Sequence, residues 1–270
     1  MIKLEHVVLA SADQMEFIIE GMRNPMNSWN KSDSIKCYAN EKCNGVCNKN
    51  KIGLCIGDNN RNLMEKLAAS GTDHRKFMRM MPVYVRITAP LYWWKEFDTY
   101  KVGTVSNSCS TMHNIMDKEF TLEDFSTDKI IDTGKPGYEN MYNDLALTLH
   151  YDGEKQYYDT YDIFSEILIP ALNLYRKLYL ACEEELRSNV IYGINPEEQR
   201  KKIKEKQKQY WWQIIQLLPS SYNQTRNIMM NYEVLANIYK SRKDHKLDEW
   251  RELCKWIESL PFHELITGMR

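Results

Sequence analysis

The sequence predicts an α+β fold with a central, mostly antiparallel sheet flanked by helices and with a helical C-terminal half. Residues 2–10 and 81–88 are rich in β-branched and apolar side chains, which is typical of strands. From about Tyr157 onward, apolar side chains instead recur at helical spacing. No Gly/Ser-rich or Pro-rich linker interrupts the 270 residues, so we predict one domain spanning residues 1–270.

Capping and turn residues set the limits of the N-terminal elements. Ser11 or Asp13 is placed to cap a helix, because short oxygen-bearing side chains accept the backbone N–H groups of a first turn. Gly71 stops a second helix, since glycine readily adopts the left-handed conformation found after helices. The elements are a strand at 2–10, a helix through QMEFIIEGMRN, irregular chain at 24–60, a helix at 61–70, a strand at 81–88 and a helix that opens with Pro90 and continues through LYWWKEFDTYK.

Four helices are predicted in the C-terminal half, after a loop-rich region at 117–140. Pro170 lies inside the first helix and predicts a kink, because proline lacks an N–H and crowds the preceding turn. Asn195 is placed to cap the second, with Pro196 at its first position. The four segments are DIFSEILIPALNLYRKLYLACEEELRS, NPEEQRKKIKEKQKQYWWQIIQLLP, TRNIMMNYEVLANIYKSRK and KLDEWRELCKWIESL.

Composition and charge exclude several classes of partner. Lys and Arg number 36 against 37 Asp and Glu, a net charge of −1, so no global basic field attracts nucleic acid. The basic run at 200–208 alternates with Glu and Gln, as on a solvated helix face. The sequence has no run of about 18 apolar residues, so no membrane-spanning helix is predicted. Glu5, His6 and Asp13 argue against a signal peptide. We therefore expect a cytoplasmic protein with reduced cysteines.

Four of the seven cysteines lie in a Cys-rich insertion at about residues 31–57. They would supply enough thiolates for a structural zinc ion, and they are Cys37, Cys43, Cys47 and Cys55. Only Cys43 and Cys47 are closely spaced, whereas zinc ribbons carry two short-spaced pairs. We therefore predict no metal site, keep these four residues as weak candidates, and expect a surface insertion with reduced thiols.

Common catalytic motifs are absent, and the six histidines are scattered through the chain. Two polar stretches remain. The first, KVGTVSNSCSTMH at 101–113, carries Ser, Thr and Asn side chains that can bind a phosphate or can hydrogen-bond their own backbone in a turn. In the second, a predicted helix places Asn231, Leu235 and Arg242 near one face. These residues either reach an anionic planar ligand or mark a boundary helix.

Together the two stretches resemble the flavin-dependent thymidylate synthases. That family carries a segment of the form RHRxxSxNExSxRY, after a strand and a helix that often opens with Ala-Pro. Here Ala-Pro at 89–90 follows the strand VYVRI. With one inserted residue, Lys101 falls on the third, basic position of RHR, Asn107 on the motif Asn and Ser110 on the later Ser. Glu96 stands where the family often has Gln.

The family's second signature is a Leu-Pro followed about a dozen residues later by NLRSLxxFxxLR. Leu-Pro at 218–219 precedes Asn231 by the same interval, and NYEVLANIYKSR matches the signature at Asn231, Leu235 and Arg242. DEWRELCKWI then resembles the family's AQxEIR helix. Upstream, SGTDHRKFMR resembles the segment that carries a flavin-contacting His, with His74 as a displaced substitute.

Most departures from the family pattern remove positive charge, and one removes a carboxylate. The full set of departures is Thr99 and Tyr100 for Arg-His, Ser108 for Glu, Met112 and His113 for Arg-Tyr, Glu233 for the Arg of NLR, and Ile215 for an Arg before Leu-Pro. Each lost charge-assisted contact would typically remove about 1.5–3 kcal/mol. The cations that would supply charge from new places are Arg75, Arg79, Arg226 and Lys240.

The resemblance implies a homotetramer with sites between subunits that methylates dUMP to dTMP. FAD would be the cofactor, with NADPH and methylenetetrahydrofolate as co-substrates and no membrane or nucleic-acid partner. Arg242 and Ser110 would act in catalysis and, with Glu96, in substrate binding. The cofactor-binding residues would be Lys101, Asn107, Asn231 and His74. The aromatic side chains before the motif, Tyr92, Trp93 and Trp94, would either pack near the flavin or fill the core, and we favour the core.

Two rival functions remain open. The lost Arg residues suggest a catalytically retired homologue that binds nucleotide or flavin without turnover. The Cys-rich insertion suggests a non-enzymatic interaction protein that binds a metal or a partner.

Overall fold

The computed structural model of the chain describes residues 2–36, 53–110, 114–135, 147–151, 154–188 and 195–268. The chain forms two compact units, one combining Met1–Ala89, Trp93–Ser108 and Thr225–Arg270 and the other Pro90–Tyr92 and Cys109–Gln224. The described strands are β1 Lys3–Leu9, β2 Ile35–Lys36, β3 Leu54–Cys55, β4 Pro82–Pro90, β5 Val105–Ser108, β6 Leu147–Tyr151, β7 Glu154–Tyr158 and β8 Asn223–Asn231. The described α-helices are α1 Ala12–Arg23, α2 Asp58–Ala69, α3 Lys76–Arg79, α4 Leu91–Phe97, α5 Thr160–Asp162, α6 Ile169–Arg187, α7 Pro196–Leu217, α8 Tyr232–Arg242, α9 Asp248–Glu258 and α10 Glu264–Thr267.

The first unit contains a four-stranded sheet in the order β1–β4–β8–β5. β1 pairs antiparallel with β4, and β5 pairs antiparallel with β8. Between β4 and β8, Thr88 Oγ1 lies 2.7 Å from Thr225 Oγ1, and the backbone N–H of Tyr232 donates to Met81 O at 3.1 Å. Residue numbers rise along β4 as they fall along β8, so this pair is also antiparallel. The predicted α+β class, with its antiparallel sheet and helical C-terminal half, is confirmed.

One segment predicted as a single helix begins with a strand. TRNIMMN belongs to β8, and α8 begins only at Tyr232. Ile228 and Met230 are buried, whereas Asn227 is exposed and Met229 is only partly buried, which is the two-residue period of a strand. Because β8 lies between β4 and β5, its backbone groups are satisfied by neighbours on both sides. The prediction of a helix over these residues was therefore wrong.

The N-terminal caps follow the predicted chemistry, with one shift. Ser11 Oγ accepts the N–H of Gln14 at 3.3 Å, and Gln14 Oε1 accepts the N–H of Ser11 at 2.8 Å, a reciprocal cap that begins α1. Gly71 follows α2 with φ +95°, as predicted. α2 begins at Asp58 rather than at 61, because the carboxylate of Asp33 accepts backbone N–H groups of its first turn.

Aromatic side chains fill the core beside α4. Trp93 and Trp94 are 0% and 1% exposed, and the Trp93 ring centroid lies 4.9 Å from that of Trp94 and 4.8 Å from that of Trp250 on α9. Phe97 stacks on Trp93 with its centroid at 5.0 Å. These indole rings are therefore core side chains.

The two ends of the Cys-rich insertion meet in a short ladder. β2 pairs antiparallel with β3, with Ile35 opposite Cys55. Cys55 is disulfide-bonded, so the expectation of reduced cysteines was wrong at this position, and its sulfur does not serve as a thiolate ligand. Among the described cysteines, Cys109, Cys182 and Cys254 are free thiols. The other candidate ligands, Cys37, Cys43 and Cys47, lie outside the described residues.

The second unit is built on the packed helices α6 and α7. Leu172 on α6 and Ile214 on α7 are fully buried in a core that also contains Phe120 and Phe125. A π-helical segment, Ile163–Leu168, leads directly into α6, and Pro170 lies in the first turn of that helix. The helix therefore changes from π to α just before Pro170, and the kink predicted at this proline stays a prediction. Among the described residues, no helix is both long and apolar enough to cross a membrane.

Candidate functional site

Two predicted substrate-binding residues are in direct contact in the first unit. Glu96 lies on α4, and Arg242 is the last residue of α8. Arg242 Nη1 lies 2.7 Å from Glu96 Oε2, with 19% of the arginine side chain and 35% of the glutamate side chain exposed. Each charge is therefore already balanced by the other at a partly buried position.

Three further side chains complete an arrangement that we call the Arg242 network: Glu96, Tyr100, Arg242, His245 and Trp250. Arg242 Nε donates to the Tyr100 hydroxyl at 2.9 Å, and Trp250 Nε1 donates to Glu96 Oε2 at 2.9 Å. The guanidinium carbon lies 4.7 Å from the Trp250 ring centroid, within cation–π range. His245 Nε2 lies 2.9 Å from Arg242 Nη1 and 3.5 Å from Glu96 Oε2. The network holds the guanidinium in one position.

Sequence reasoning missed three members of this network. Tyr100 was visible only as a replacement for the motif His, yet its hydroxyl contacts Arg242. His245 follows Arg242 by three residues, a spacing that brings side chains together at a helix end and would have suggested the contact. Trp250 gave no such signal, because its contact with Glu96 depends on the tertiary packing of α9.

Asn231 begins α8. Its Oδ1 accepts the N–H of Val234 at 3.0 Å, so the amide oxygen acts as a helix cap. Gly103 has φ +79°, and a Cβ there would lie 2.9 Å from Asn231 Nδ2. Glycine thus allows the loop after Lys101 to pass close to the start of α8. A flavin contact by Asn231 stays a prediction.

The hydroxyl- and amide-rich stretch is divided between a strand and the second unit. Asn107 lies on β5 opposite Asn227, and both line a cavity of about 230 Å³ together with His6 and Arg86. Lys101 precedes this strand and is exposed. Ser110 belongs to the second unit, where its carbonyl accepts the N–H of Asn114 at 3.2 Å. The ligand roles of Lys101, Asn107 and Ser110 stay predictions.

The first unit contains a cleft of about 880 Å³, which we call the cationic cleft. Residues from α2, α8 and α10 line it, together with the turn after α2. His74 is exposed in that turn, and its neighbours Thr72 and Arg75 are in the lining. The charged side chains of the lining are Lys66, Arg75, Lys240, Lys243, Glu65 and Glu264.

Acid–base pairing modifies the charge of this cleft. Arg75 Nε lies 2.7 Å from Glu233 Oε2, and Glu264 accepts from Arg61 at 2.9 Å. Burial, and next its hydrogen bond to Glu258, raise the pKa of Tyr239 to about 12, so this lining residue is a neutral phenol. Lysine and arginine therefore dominate the charge of the cleft, which suits an anionic ligand.

The described part of the chain contains no group of three or more His, Cys, Asp or Glu side chains placed to hold a metal ion. Most of the weak metal candidates lie outside it, as noted for the Cys-rich insertion, so the absence of a metal site stays a prediction.

Comparison with known proteins identifies the fold. No family model and no curated protein matches the sequence. The chain is similar to the crystal structure of flavin-dependent thymidylate synthase ThyX from Helicobacter pylori complexed with FAD and dUMP, with 13% identity, a TM-score of 0.51, and coverage of 98% of this chain and 96% of that one. A UMP/dUMP methylase, PolB from Streptomyces cacaoi, aligns at 14% identity and a TM-score of 0.46 over 100% of this chain and 95% of that one. The first likeness shows that the chain has the fold of the flavin-dependent thymidylate synthases, in a divergent form.

Proposed function

We propose that the chain is a flavin-dependent thymidylate synthase that methylates dUMP to dTMP. FAD would be the bound cofactor, with NADPH and methylenetetrahydrofolate as co-substrates. The observation that carries the proposal is the cationic cleft, which has the volume and the charge that a phosphate-bearing dinucleotide requires. The shared fold adds support by raising the expectation of this function. The proposed function itself depends on the residues of the site.

The residues of the cationic cleft fit FAD in size and in charge. Its volume of about 880 Å³ is within the range of about 300–1,000 Å³ typical of cofactor sites. Lys66, Lys240 and Lys243 would attract the pyrophosphate, and the Asn237 side chain offers a hydrogen-bonding amide. His74, in the adjoining turn, would reach the cofactor from the rim. When bound, the flavin would supply the redox chemistry, and the chain would bind and orient it.

Arg242, the last residue of α8, would bind dUMP. A guanidinium held by Tyr100 and Trp250 is already oriented, so little side-chain entropy would be lost on binding an anionic or carbonyl group. Glu96 would have to share or release its ion pair with Arg242 when the nucleotide binds. This requirement makes Glu96 the residue that sets the strength of dUMP binding.

The remaining roles belong to the same proposal. Ser110 would hydrogen-bond the dUMP phosphate and, with Arg242, act in catalysis, while Lys101, Asn107 and Asn231 would contact FAD or nucleotide. We also propose a cytoplasmic homotetramer in which neighbouring subunits complete each site. The disulfide at Cys55 does not follow from a cytoplasmic location, where thiols are usually reduced.

Flavin uptake and dUMP turnover test the proposal in sequence. The purified chain, incubated with FAD and desalted, should be yellow, with absorbance near about 450 nm. Tritium release from labelled dUMP should then require NADPH and methylenetetrahydrofolate. Arg242→Ala should lower turnover at least about a hundredfold, as expected for loss of a charged contact to the reacting group. Lys255→Ala, an exposed cation on α9, should retain activity. A folded chain that takes up no FAD contradicts the proposal.

A catalytically retired homologue is the second candidate. The Glu96–Arg242 pair favours it, because an arginine neutralised within the chain is less available to an anionic nucleotide. Such a protein would take up FAD or bind dUMP but release no tritium under any combination of co-substrates. The two candidates are therefore separated by the same assay.

A further inference from the structure

The charge reversal at position 233 is balanced within the described structure. Glu233 stands where the resembling family has the Arg of its NLR signature, and it is 7% exposed. Arg75, from the turn between α2 and α3, brings its Nε within 2.7 Å of Glu233 Oε2. A buried carboxylate requires a partner charge, and Arg75 provides it. The positive charge that the family carries at position 233 is thus supplied here by Arg75, in the turn between α2 and α3.

The pair leaves part of the arginine available. The contact between Arg75 Nε and Glu233 Oε2 does not have hydrogen-bond geometry, although the two atoms are in ionic contact. Arg75 Nη2 donates to Asn237 Oδ1 at 3.4 Å, a long hydrogen bond. Among the described residues, Nη1 has no hydrogen-bond acceptor. An arginine held at one edge and open at the other suits bidentate binding of phosphate oxygens.

The position of Arg75 in the cationic cleft also favours a phosphate-bearing ligand. Arg75 and Asn237 both line the cationic cleft, as do Lys66, Lys240 and Lys243. Glu233 lies in the first turn of α8, where the helix dipole stabilises an acidic side chain. The helix therefore fixes Glu233, and Glu233 in turn fixes the guanidinium at the wall of the cleft.

We propose that Arg75 binds a pyrophosphate group in the cationic cleft and that Glu233 is the positioning residue that holds it there. The inference rests on the proposed function only in naming FAD as the carrier of that pyrophosphate. Inorganic pyrophosphate is a probe of the same chemistry that does not depend on flavin recognition.

The test measures dissociation constants of FAD and of inorganic pyrophosphate for the full chain by calorimetry. Arg75→Gln should weaken both by about tenfold or more and should flatten the salt dependence of pyrophosphate binding. Arg75→Lys keeps the charge but not the planar guanidinium, so its affinities should lie between those of the wild type and of Arg75→Gln. It serves as the test if Arg75→Gln does not fold. Arg187→Gln is the matched control, because Arg187 also pairs with a carboxylate, that of Glu183 at 2.6 Å, and lies outside the cleft lining.

Glu233→Ala decides the positioning role by the sign of its effect. Removing an acid by itself should tighten anion binding, whereas releasing Arg75 from its position should weaken it. We expect weaker binding of pyrophosphate, and tighter binding would overturn the positioning role.

The outcomes separate the inference from the proposed function. Wild-type affinities in a folded Arg75→Gln or Arg75→Lys protein overturn the inference and leave the synthase proposal intact. Pyrophosphate binding that depends on Arg75, without any FAD binding, supports the inference and removes the synthase proposal. A chain that binds neither probe overturns both.

Discussion

Arg242 shows how one residue can be well oriented and yet electrostatically satisfied. Its guanidinium contacts a carboxylate, a phenol and an indole ring, so a ligand gains orientation but must compete for charge. The carboxylate is the decisive partner, because Coulomb attraction at 2.7 Å in a partly buried site exceeds the contribution of the neutral groups. The strength of anion binding at Arg242 therefore depends on Glu96.

Glu96→Gln should strengthen dUMP binding. The amide keeps an oxygen that can accept from Trp250 and Arg242, but it no longer neutralises the guanidinium. We expect dUMP affinity to rise about three- to tenfold and the free energy of unfolding to fall by about 1–2 kcal/mol, since the ion pair is partly exposed. Calorimetric titration with dUMP and urea unfolding measure the two effects.

Tyr100→Phe is the control for that variant. It removes the hydroxyl that accepts from Arg242 Nε and leaves the charge of the site unchanged. If both variants change dUMP affinity in the same direction, geometry rather than charge controls Arg242, and the role assigned to Glu96 is wrong.

At the scale of elements, the start of α8 combines a structural and a proposed ligand role in Asn231. As a cap, Asn231 accepts the N–H of Val234. Asn231→Ala should lower the free energy of unfolding by about 1 kcal/mol, whereas Asn231→Asp should retain nearly full stability, because Asp caps as well as Asn.

If Asn231 also contacts FAD, Asn231→Asp should weaken FAD binding, since it replaces an N–H donor with a negative charge near the pyrophosphate. Urea unfolding and FAD titration on both variants separate the roles. A folded Asn231→Asp protein with wild-type FAD affinity contradicts the cofactor role.

α5 in the second unit depends on a buried carboxylate. Asp159 is 2% exposed and accepts from Thr133 N at 2.6 Å, Thr133 Oγ1 at 2.7 Å and Asp162 N at 2.8 Å. Burial by itself would raise the pKa of Asp159, but these donors outweigh it and hold the pKa below its usual range. Asp159→Asn should therefore cost about 1.5–3 kcal/mol near neutral pH.

The loss of unfolding free energy caused by Asp159→Asn should become smaller as the pH falls. A carboxyl with a lowered folded pKa stabilises the protein above its unfolded pKa of about 3.9, and this stabilisation is lost as pH falls through the folded pKa. The difference in unfolding free energy between wild type and variant should thus be full at pH 7 and smaller at pH 3. Urea unfolding at both values measures it, and a difference that grows in acid would show that the ionised form is not the stabilising one.

At the scale of the whole molecule, the sequence predicted those features that depend on local chemistry. Ser11 and Gly71 limit their helices through contacts within a few residues, and both were predicted. β8 was missed because TRNIMMN has no clear period of its own, and its strand conformation comes from pairing with β4 and β5. The contact of Glu96 with Arg242 joins positions 146 residues apart, so spacing within the sequence did not reveal it.

The remaining prediction concerns whether the chain unfolds as one domain. The two compact units each bury apolar side chains of their own, Leu172 in the second and Ile87 in the first, both 0% exposed. Leu172→Ala should lower the free energy of unfolding by about 2–5 kcal/mol through the cavity it leaves. Leu174→Ala, on the same helix but 55% exposed, should change it by less than about 0.5 kcal/mol.

If residues 1–270 form one cooperative domain, Leu172→Ala should accelerate amide exchange of the slowest protons in β4 as much as in α6, because both exchange through the same global opening. Exchange that accelerates in α6 while β4 keeps its wild-type protection would show two separately unfolding domains, and the single-domain prediction would be wrong.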